Sequence, residues 1–590
     1  MRSTFSGLNT MVRGIIANQI SQETVGHNIT NATTEGYSRQ AVNLVTTKAN
    51  EHAGLYGEVL VGSGVDTNSI TRARDVYADR QYWQENSTQN YLTAMQKQYD
   101  KVEAVFNDTT NETIQSALQS FYQSWQTLSD SASNSSSRLS VINQGANLAD
   151  RIKTAAFELQ TQINEIYTDV SLNIGRVNEM LGQMVELNKN ISAAEATGAS
   201  ANDLRDKRDL LVDNLTEYLN INVYENEKSM YTLVSNGVSL VNGVNKLTLS
   251  MTPPQANDEY DINDYDVLIR ESQVTFLDHE AITRSANTPY SLLNGSLRAD
   301  FEAINECKKY IDDLANMASF LLSDFNEQHQ NGCGVDSDRT SGINFFGDSM
   351  TMYTWDATDK VLKAQKYTAN LSATGHTIKT NKNYAANDPN YYYVKSTVSG
   401  GTADGGNDKV NKIDAINALR VSTQITAAGG EALIAAAGYG FECDSAGVPT
   451  NISNPNTIYS NGTGDGYNAV MISTLFNLDM SKTPKYSDQD TTEQNEAKRA
   501  IGSISLNAYY NKSMTGLGSD AETYDSKVEA QEEIMTQLTE WRESTAGVNW
   551  NQELTNMIMF QQGYMSCARC LTTMDEMLDK LINGTGVVGR

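Results

Sequence analysis

All seven prolines of this 590-residue chain fall between Pro253 and Pro484. Proline removes a backbone donor and its ring collides with the preceding turn, so it breaks helix interiors. The stretches before Pro253 and after Pro484 are free to form long helices, while the middle carries turns and strands. This distribution predicts a mainly α fold with β insertions. Its core is a long helical-bundle rod built from both chain ends, with one or two outward β-rich domains. The length exceeds what one hydrophobic core usually holds, so several domains are expected.

Apolar periodicity places the helices. Phe5, Leu8, Val12 and Ile15 recur at helical spacing near the N-terminus. Tyr91, Met95, Val102 and Phe106 form one further face, and Ile114, Leu118, Phe121 and Trp125 another. The longest pattern runs through Ile152, Leu159, Ile163, Ile166, Val170, Ile174, Val177, Leu181, Met184 and Ile191. From Leu139 to Ile191 such a helix would reach roughly 80 Å at ~1.5 Å per residue, a rod that needs partner helices. A helix over 202–219 then leads into short strands, with hairpin signals at Asn236-Gly237 and Asn242-Gly243. Residues 295–328 return to helix. The stretch 331–463, rich in Gly, Asn, Thr, Ser and Tyr, reads as β-rich or irregular with one helix near 411–420. Helix resumes at about 520 and breaks at 544–550. The final helix then sets Met557, Phe560, Tyr564, Cys567, Leu571, Met574, Leu578 and Leu581 at consecutive a/d heptad positions.

The expected domains follow. Residues 1–70 with 546–590 form terminal helical arms and a hinge. Residues 71–220 with 296–330 and 464–545 form the helical rod domain. Residues 221–295 form a β domain, and 331–463 a variable outer β-rich domain.

Charge and motifs exclude several kinds of chemistry. A formal net charge of −28 disfavours nucleic acid and anionic membrane as partners. No run of about 18 apolar residues would span a bilayer, and the first twenty residues lack the apolar core of a cleaved signal. Cys567 and Cys570 form a C-x-x-C without the second pair zinc needs, and Cys567 lies on the apolar seam. The five histidines are scattered. Asp261, Asn263, Asp264 and Asp266 lack the glycine and glutamate of a calcium loop. No phosphate loop, dinucleotide fingerprint or nucleophile elbow is present. The reading names no catalytic residue, no cofactor and no metal.

What remains unusual is the two terminal seams. A single helix burying one seam recovers less than ordering its backbone costs, at about 1–2 kcal/mol per residue. The terminal helices are therefore expected to be mobile in the lone chain and to order on assembly. Pairing within one chain is the alternative.

The stretch NITNATTEGYSRQ, residues 28–40, carries a resemblance. Asn28, Ile29, Asn31, Ala32, Thr34, Gly36, Tyr37, Ser38, Arg39 and Gln40 match a signature of the bacterial flagellar rod, hook and junction proteins. The Tyr-Ser-Arg-Gln ending is most similar to the hook-associated protein 1 family. The C-terminal segment STAGVNWNQELTNMIMFQQGYMSCARCLTTMDEMLDKLI resembles that family's ending, and LRDKRDLLVDNLTEYLNINV its helix-to-β transition. The resemblance implies a structural junction between hook and filament, exported by the flagellar type III apparatus without a cleaved signal peptide and polymerised as a ring. Its implied location is extracellular, at the hook–filament junction. Implied partners are hook protein, a second junction protein, copies of the chain itself, and an export chaperone on the C-terminal helix. The implied assembly interface comprises Phe5, Leu8, Val12 and Ile15 on one arm and Met557, Phe560, Tyr564, Leu571, Met574, Leu578 and Leu581 on the other, with Asn28, Asn31, Gly36, Tyr37, Arg39 and Gln40 at the hinge. Gly36 would permit the turn, and Tyr37 and Arg39 would contact a neighbouring chain or, as the alternative, brace the turn within their own. Hook or distal-rod protein of the same family is an alternative, as is an adhesin-like role of 331–463.

Overall fold

The longest helix forms where the seam predicts it and runs further at both ends. Asn134 caps it by accepting from the Ser136 amide, and the helix continues from Ser135 to Glu195. Leu159, Ile163, Val170, Val177, Leu181, Met184 and Ile191 along it are fully buried. The computed structural model describes residues 6–54, 57–106, 113–196, 198–252, 295–330, 412–441, 463–477 and 504–584, together with short pieces of 255–289, 332–365, 391–393 and 458–460.

In chain order the helices used below are α1 (Ser6–Thr30), α2 (Val76–Phe106), α3 (Ile114–Asp130), α4 (Ser135–Glu195), α5 (Asn202–Thr216), α6 (Ser296–Phe320), α7 (Lys412–Ala418), α8 (Tyr467–Leu475), α9 (Leu506–Ala546) and α10 (Trp550–Asp579). Helices α2, α3, α4, α6 and α9 make the rod. α9 runs antiparallel along α2, as the Tyr99–Tyr524 ring stack and the Gln531–Glu85 and Arg542–Asp79 contacts show in turn. α6 closes the bundle against α2 and α4, with Phe106 edge-on to Tyr310.

Two β units flank the bundle. Strands β1 (Gln40–Thr46) and β4 (Val65–Arg72) pair antiparallel, and β2 (Asn50–Gly54) and β3 (Gly57–Val61) pair between them. After α5 come β5 (Asn222–Glu225), β6 (Tyr231–Ser235), β7 (Val238–Asn242), β8 (Asn245–Met251) and β9 (Val267–Glu271). They form a five-stranded antiparallel meander in sequence order. Its first tight turn uses positive φ at both Asn236 (45°) and Gly237 (88°), as a two-residue hairpin of this hand requires. The inner face, including Leu233, Val241 and Leu249, packs into the same core as α4.

One boundary differs from the sequence reading. Residues 343–347 and 412–437 of the expected outer domain pack on the end of the rod. Phe345 and Phe346 join Phe121, Trp125, Phe325 and Phe476 in one aromatic cluster at the far end of α3 and α4. Ile413, Ile416 and Leu419 in and beside α7 are buried there too, as are Ala435, Ala436 and Ala437. Buried Arg138 fastens this cap by donating to Ala132 O, Glu431 O and Ile434 O. His329, in the short helix Asn326–Gln330 beyond α6, also fastens it, accepting the Ala435 amide at Nε2, which leaves Nδ1–H to donate to Ile343 O. The apolar runs of 413–419 and 434–437 need a core, and the end of the bundle supplies it. Phe5, Asp261 and Asp266 lie outside the described residues. Among those residues no group of acidic, histidine or cysteine side chains is arranged to hold a metal. None of the described helices is long and apolar enough to cross a membrane.

Candidate assembly site at the chain ends

Helices α1 and α10 lie against each other as an antiparallel pair, bringing the two ends of the chain together. The register is constant. A Cβ placed on Gly7 would lie 3.0 Å from Met574 Cε, and one on Gly14 would lie 2.9 Å from Cys567 Sγ. Gly563 faces Asn18 in the same way, and Asn28 reaches Glu553. Seven residues forward on one helix thus meet seven residues back on the other.

The residues of α1 that face α10 at this register are Gly7, Gly14, Asn18 and Asn28, none of them in the expected stripe Leu8, Val12 and Ile15. A residue one place beyond Gly7 or Gly14 is turned by about 100° around the axis. Leu8 and Ile15 are accordingly half-buried on the flank of the contact, and Val12, about 200° before Gly14 around the axis, is half-buried as well. On α10, Met557, Phe560, Leu571, Met574 and Leu578 are half-buried, while Tyr564 and Leu581 are exposed. Ile558, Met559, Met565, Met577 and Ile582 are also exposed, as is Ile16 on α1. The pair keeps a large apolar surface turned to solvent, a feature of surfaces that meet a partner.

At its base the pair meets the rod through the 28–40 stretch. α1 ends at Thr30 and the chain turns back through Gly36, whose φ of +74° suits glycine and whose missing Cβ makes room for Leu210. Asn28, almost fully buried, then bridges the turn. Its Nδ2 donates to Gln40 O (2.9 Å) and Glu553 Oε2 (3.0 Å), and its Oδ1 accepts from the Gln40 amide (2.9 Å) and Tyr37 Oη (2.8 Å). Burial, together with Asp203, Asp206 and Glu553 nearby, pushes the Tyr37 phenol well above its ordinary range, so it stays protonated and donates. Asn31 turns inward on its own helix and donates to His27 O.

Arg39 was expected to pair with carboxylates or carbonyls of a neighbouring chain, with bracing of its own turn as the alternative. It finds a carboxylate in its own chain, with Nε donating to Glu553 Oε1 at 2.8 Å. The reason is the turn at Gly36, which carries β1's start back onto the first turn of α10. The Arg39 amide donates to Ala546 O at the end of α9, and its carbonyl accepts from Ala73.

The partners of this stretch that sequence reading missed come mostly from α5. Asp203, Asp206, Asp209 and Asp213 fall on one face of that helix at spacings of three and four. Asp203 accepts from Gln40 Nε2 and Asp206 from the Ser38 amide. Arg72 spans Asp206 (2.7 Å) and Asp209 (2.8 Å), and Arg74 joins Asp79 (2.7 Å) to Asp209 (3.3 Å). Burial works against the Asp209 charge, but Arg74 and Arg72 outweigh it and hold the carboxyl below its usual range. At Asp213 burial wins over Arg542 and Arg74, and the carboxyl sits above its usual range. The acidic spacing on α5 was the signal available in the sequence, and it names the face without naming the arginines that meet it.

Comparison with known proteins bears on this arrangement. Residues 99–346 match the family described as flagellar hook-associated protein FlgK helical domain. Residues 543–584 match the family described as flagellar basal body rod FlgEFG protein C-terminal. The flagellar hook-associated protein 1 of Bacillus subtilis is 27% identical across the full length of both chains. The chain belongs to the flagellar hook-associated protein 1 family. The Escherichia coli family member is 24% identical over 98% of this chain and 99% of that one. In fold the chain is similar to the flagellar hook junction protein FlgK from Burkholderia pseudomallei, with a TM-score of 0.54 and 16% identity over 79% of this chain and all of that one. Two of the segments by which the sequence resembles the hook-associated family, GYSRQ and GVNWNQE, close on each other through Arg39 and Glu553.

Proposed function

We propose that this chain is the structural joint between the hook and the filament of a bacterial flagellum. In this reading it leaves the cell through the flagellar type III apparatus and polymerises as a ring. Copies of the chain pack through the α1–α10 arms, with Leu8, Val12, Ile15, Tyr564, Leu578 and Leu581 among the side chains that neighbours cover. Hook protein meets one face of the ring and a second junction protein the other. Before assembly, an export chaperone shields the apolar side of α10. The role needs no catalytic step.

The observation that carries the reading is the arm itself. Among the described residues of α10, Glu553 is the one buried side chain, although the helix has a heptad seam along its length. Membership of the hook-associated family supplies the setting in which that seam would be covered. The test is deletion of the gene followed by electron microscopy. Intact hooks that shed unpolymerised flagellin are expected. Normal filaments would reject the reading.

A further inference from the structure

We propose that Glu553 latches the base of the terminal arm to the rod within the single chain, so that the arm orders from its base outward and enters an assembly with its angle already set. The inference rests on the reading of the arm as the assembling part, and it adds what fixes the arm before any neighbour is present.

The base and the tip of the arm are built differently. At the base Glu553 is 1% exposed, and both its oxygens are engaged, Oε1 by Arg39 and Oε2 by Asn28. Asn28 is itself tied to Gln40, and Arg39 to Ala546 and Ala73. Four segments therefore converge on one carboxylate: the end of α1, the start of β1, the end of α9 and the first turn of α10. Glu553 also sits near the N-terminus of α10, where the helix dipole favours an anion, and Asn549 caps that end by accepting from the Asn551 and Gln552 amides. Such a carboxylate, desolvated and paired on both oxygens, is costly to open because it would strand the half-buried Arg39 guanidinium and one N–H of the buried Asn28 amide. Among the described residues toward the tip, no buried carboxylate joins the two helices. Met577, Leu581 and Ile582 are more than half exposed. Contacts there rest on half-buried apolar side chains, the low-stability end of a local unfolding scale.

Hydrogen exchange on the full chain at a dilution where it is monomeric tests this. Amides of 37–41 and 550–556 are expected to exchange at least ~10-fold more slowly than those of 7–14 and 571–579. Glu553→Ala and Arg39→Ala should each erase that difference by speeding the base about 10-fold or more, with α2, α4 and α6 unchanged. Glu553→Gln, which keeps an acceptor oxygen but turns an amide toward one donor, should fall between. The proposal is overturned if base and tip exchange alike in the unaltered chain, if Glu553→Ala leaves the base protected, or if it speeds the bundle equally. The measurement is made on the lone chain, so its failure is separable from failure of the junction role, which the deletion strain tests.

Discussion

Gly14 and Cys567 face each other so closely that an alanine at position 14 would bring its Cβ to 2.9 Å from the cysteine Sγ. The same Cβ would lie 3.9 Å from Cys567 Cβ, an ordinary contact. The obstacle is therefore one sulfur atom. Gly14→Ala is expected to loosen the arm, since overpacking costs about 1–3 kcal/mol and outweighs the gain of ~1 kcal/mol from alanine's helix propensity. In a Cys567→Ala background the clash is gone and the propensity gain remains. Gly14→Ala should then be neutral or protective. Hydrogen exchange of α1 in the four variants reads the coupling, and equal effects of Gly14→Ala in both backgrounds would refute it.

Arg542 holds two carboxylates at once, Asp79 at 3.0 Å and Asp213 at 2.9 Å, and its guanidinium lies over the Tyr82 ring. It ties the end of α9 to α2 and α5 just before the chain enters the arm. Arg542→Ala removes the counter-charge from Asp213, which burial already pushes toward its neutral form. A loss on the order of 3 kcal/mol is expected from breaking a buried pair on one side. Adding Asp213→Asn should recover part of it, because the neutral amide no longer needs the arginine. Urea unfolding of the single and double variants decides this, and simple additivity would count against the account.

Asp300 supplies a pH dependence. Its carboxyl is buried on α6, and burial, helped by Asp169 and opposed by Lys101 and Lys97, raises its pKa from 3.8 to about 7. Between these values the folded chain holds a proton that the unfolded chain has released, so stability falls as pH rises. The group's penalty is full above pH 7 and fades as the medium is acidified toward pH 4. Asp300→Asn should stabilise the rod at pH 8 by roughly 1–3 kcal/mol, and the difference from the unaltered chain should shrink toward pH 5. Thermal melts of both chains across that range test the sign. A gap that stays constant with pH would exclude it.

How much of this was legible beforehand depends on the distance a signal must travel. The seam of α4 was legible because all its residues report on one helix, and the Asn-Gly turns because φ is a local property. The arms were visible as apolar stripes and their pairing within one chain as an alternative, but the register of that pairing was not. A periodic pattern names a helix's own apolar face, while Gly7 and Gly14 register as gaps in it. Only the partner's Met574 and Cys567 turn those gaps into a fitted line. Arg39 was expected to pair with carboxylates or carbonyls of a neighbouring chain. That its partner lies 514 positions away in the same chain is a fact of topology, which no window of sequence contains. The helix expected near 411–420 forms at Lys412–Ala418, but its burial at the end of the bundle was not legible. The stretch 331–463 was read from its Gly, Asn, Thr, Ser and Tyr, an average that conceals the alanines packed under the aromatic cluster.

The last prediction separates folding of the rod from use of the arm. With Glu553 the single buried residue of α10, the bundle core owes that helix almost nothing. Val25 and Ala17 are the buried apolar side chains of α1, and neither belongs to the core cluster that holds α2, α3, α4, α6 and α9. A chain lacking residues 1–27 and 550–590 should therefore keep a cooperative thermal transition close to that of the full chain, lowered by the few kcal/mol that opening the Asn28–Arg39–Glu553 network costs. Supplied to a deletion strain, it should fail to take its place at the hook and leave flagellin in the medium. Melting by circular dichroism and electron micrographs of the strain check the two halves. Loss of the bundle on truncation would mean that the ends are part of the rod's core. Normal filaments with the truncated chain would mean that the apolar face of the arm is not what neighbours bury.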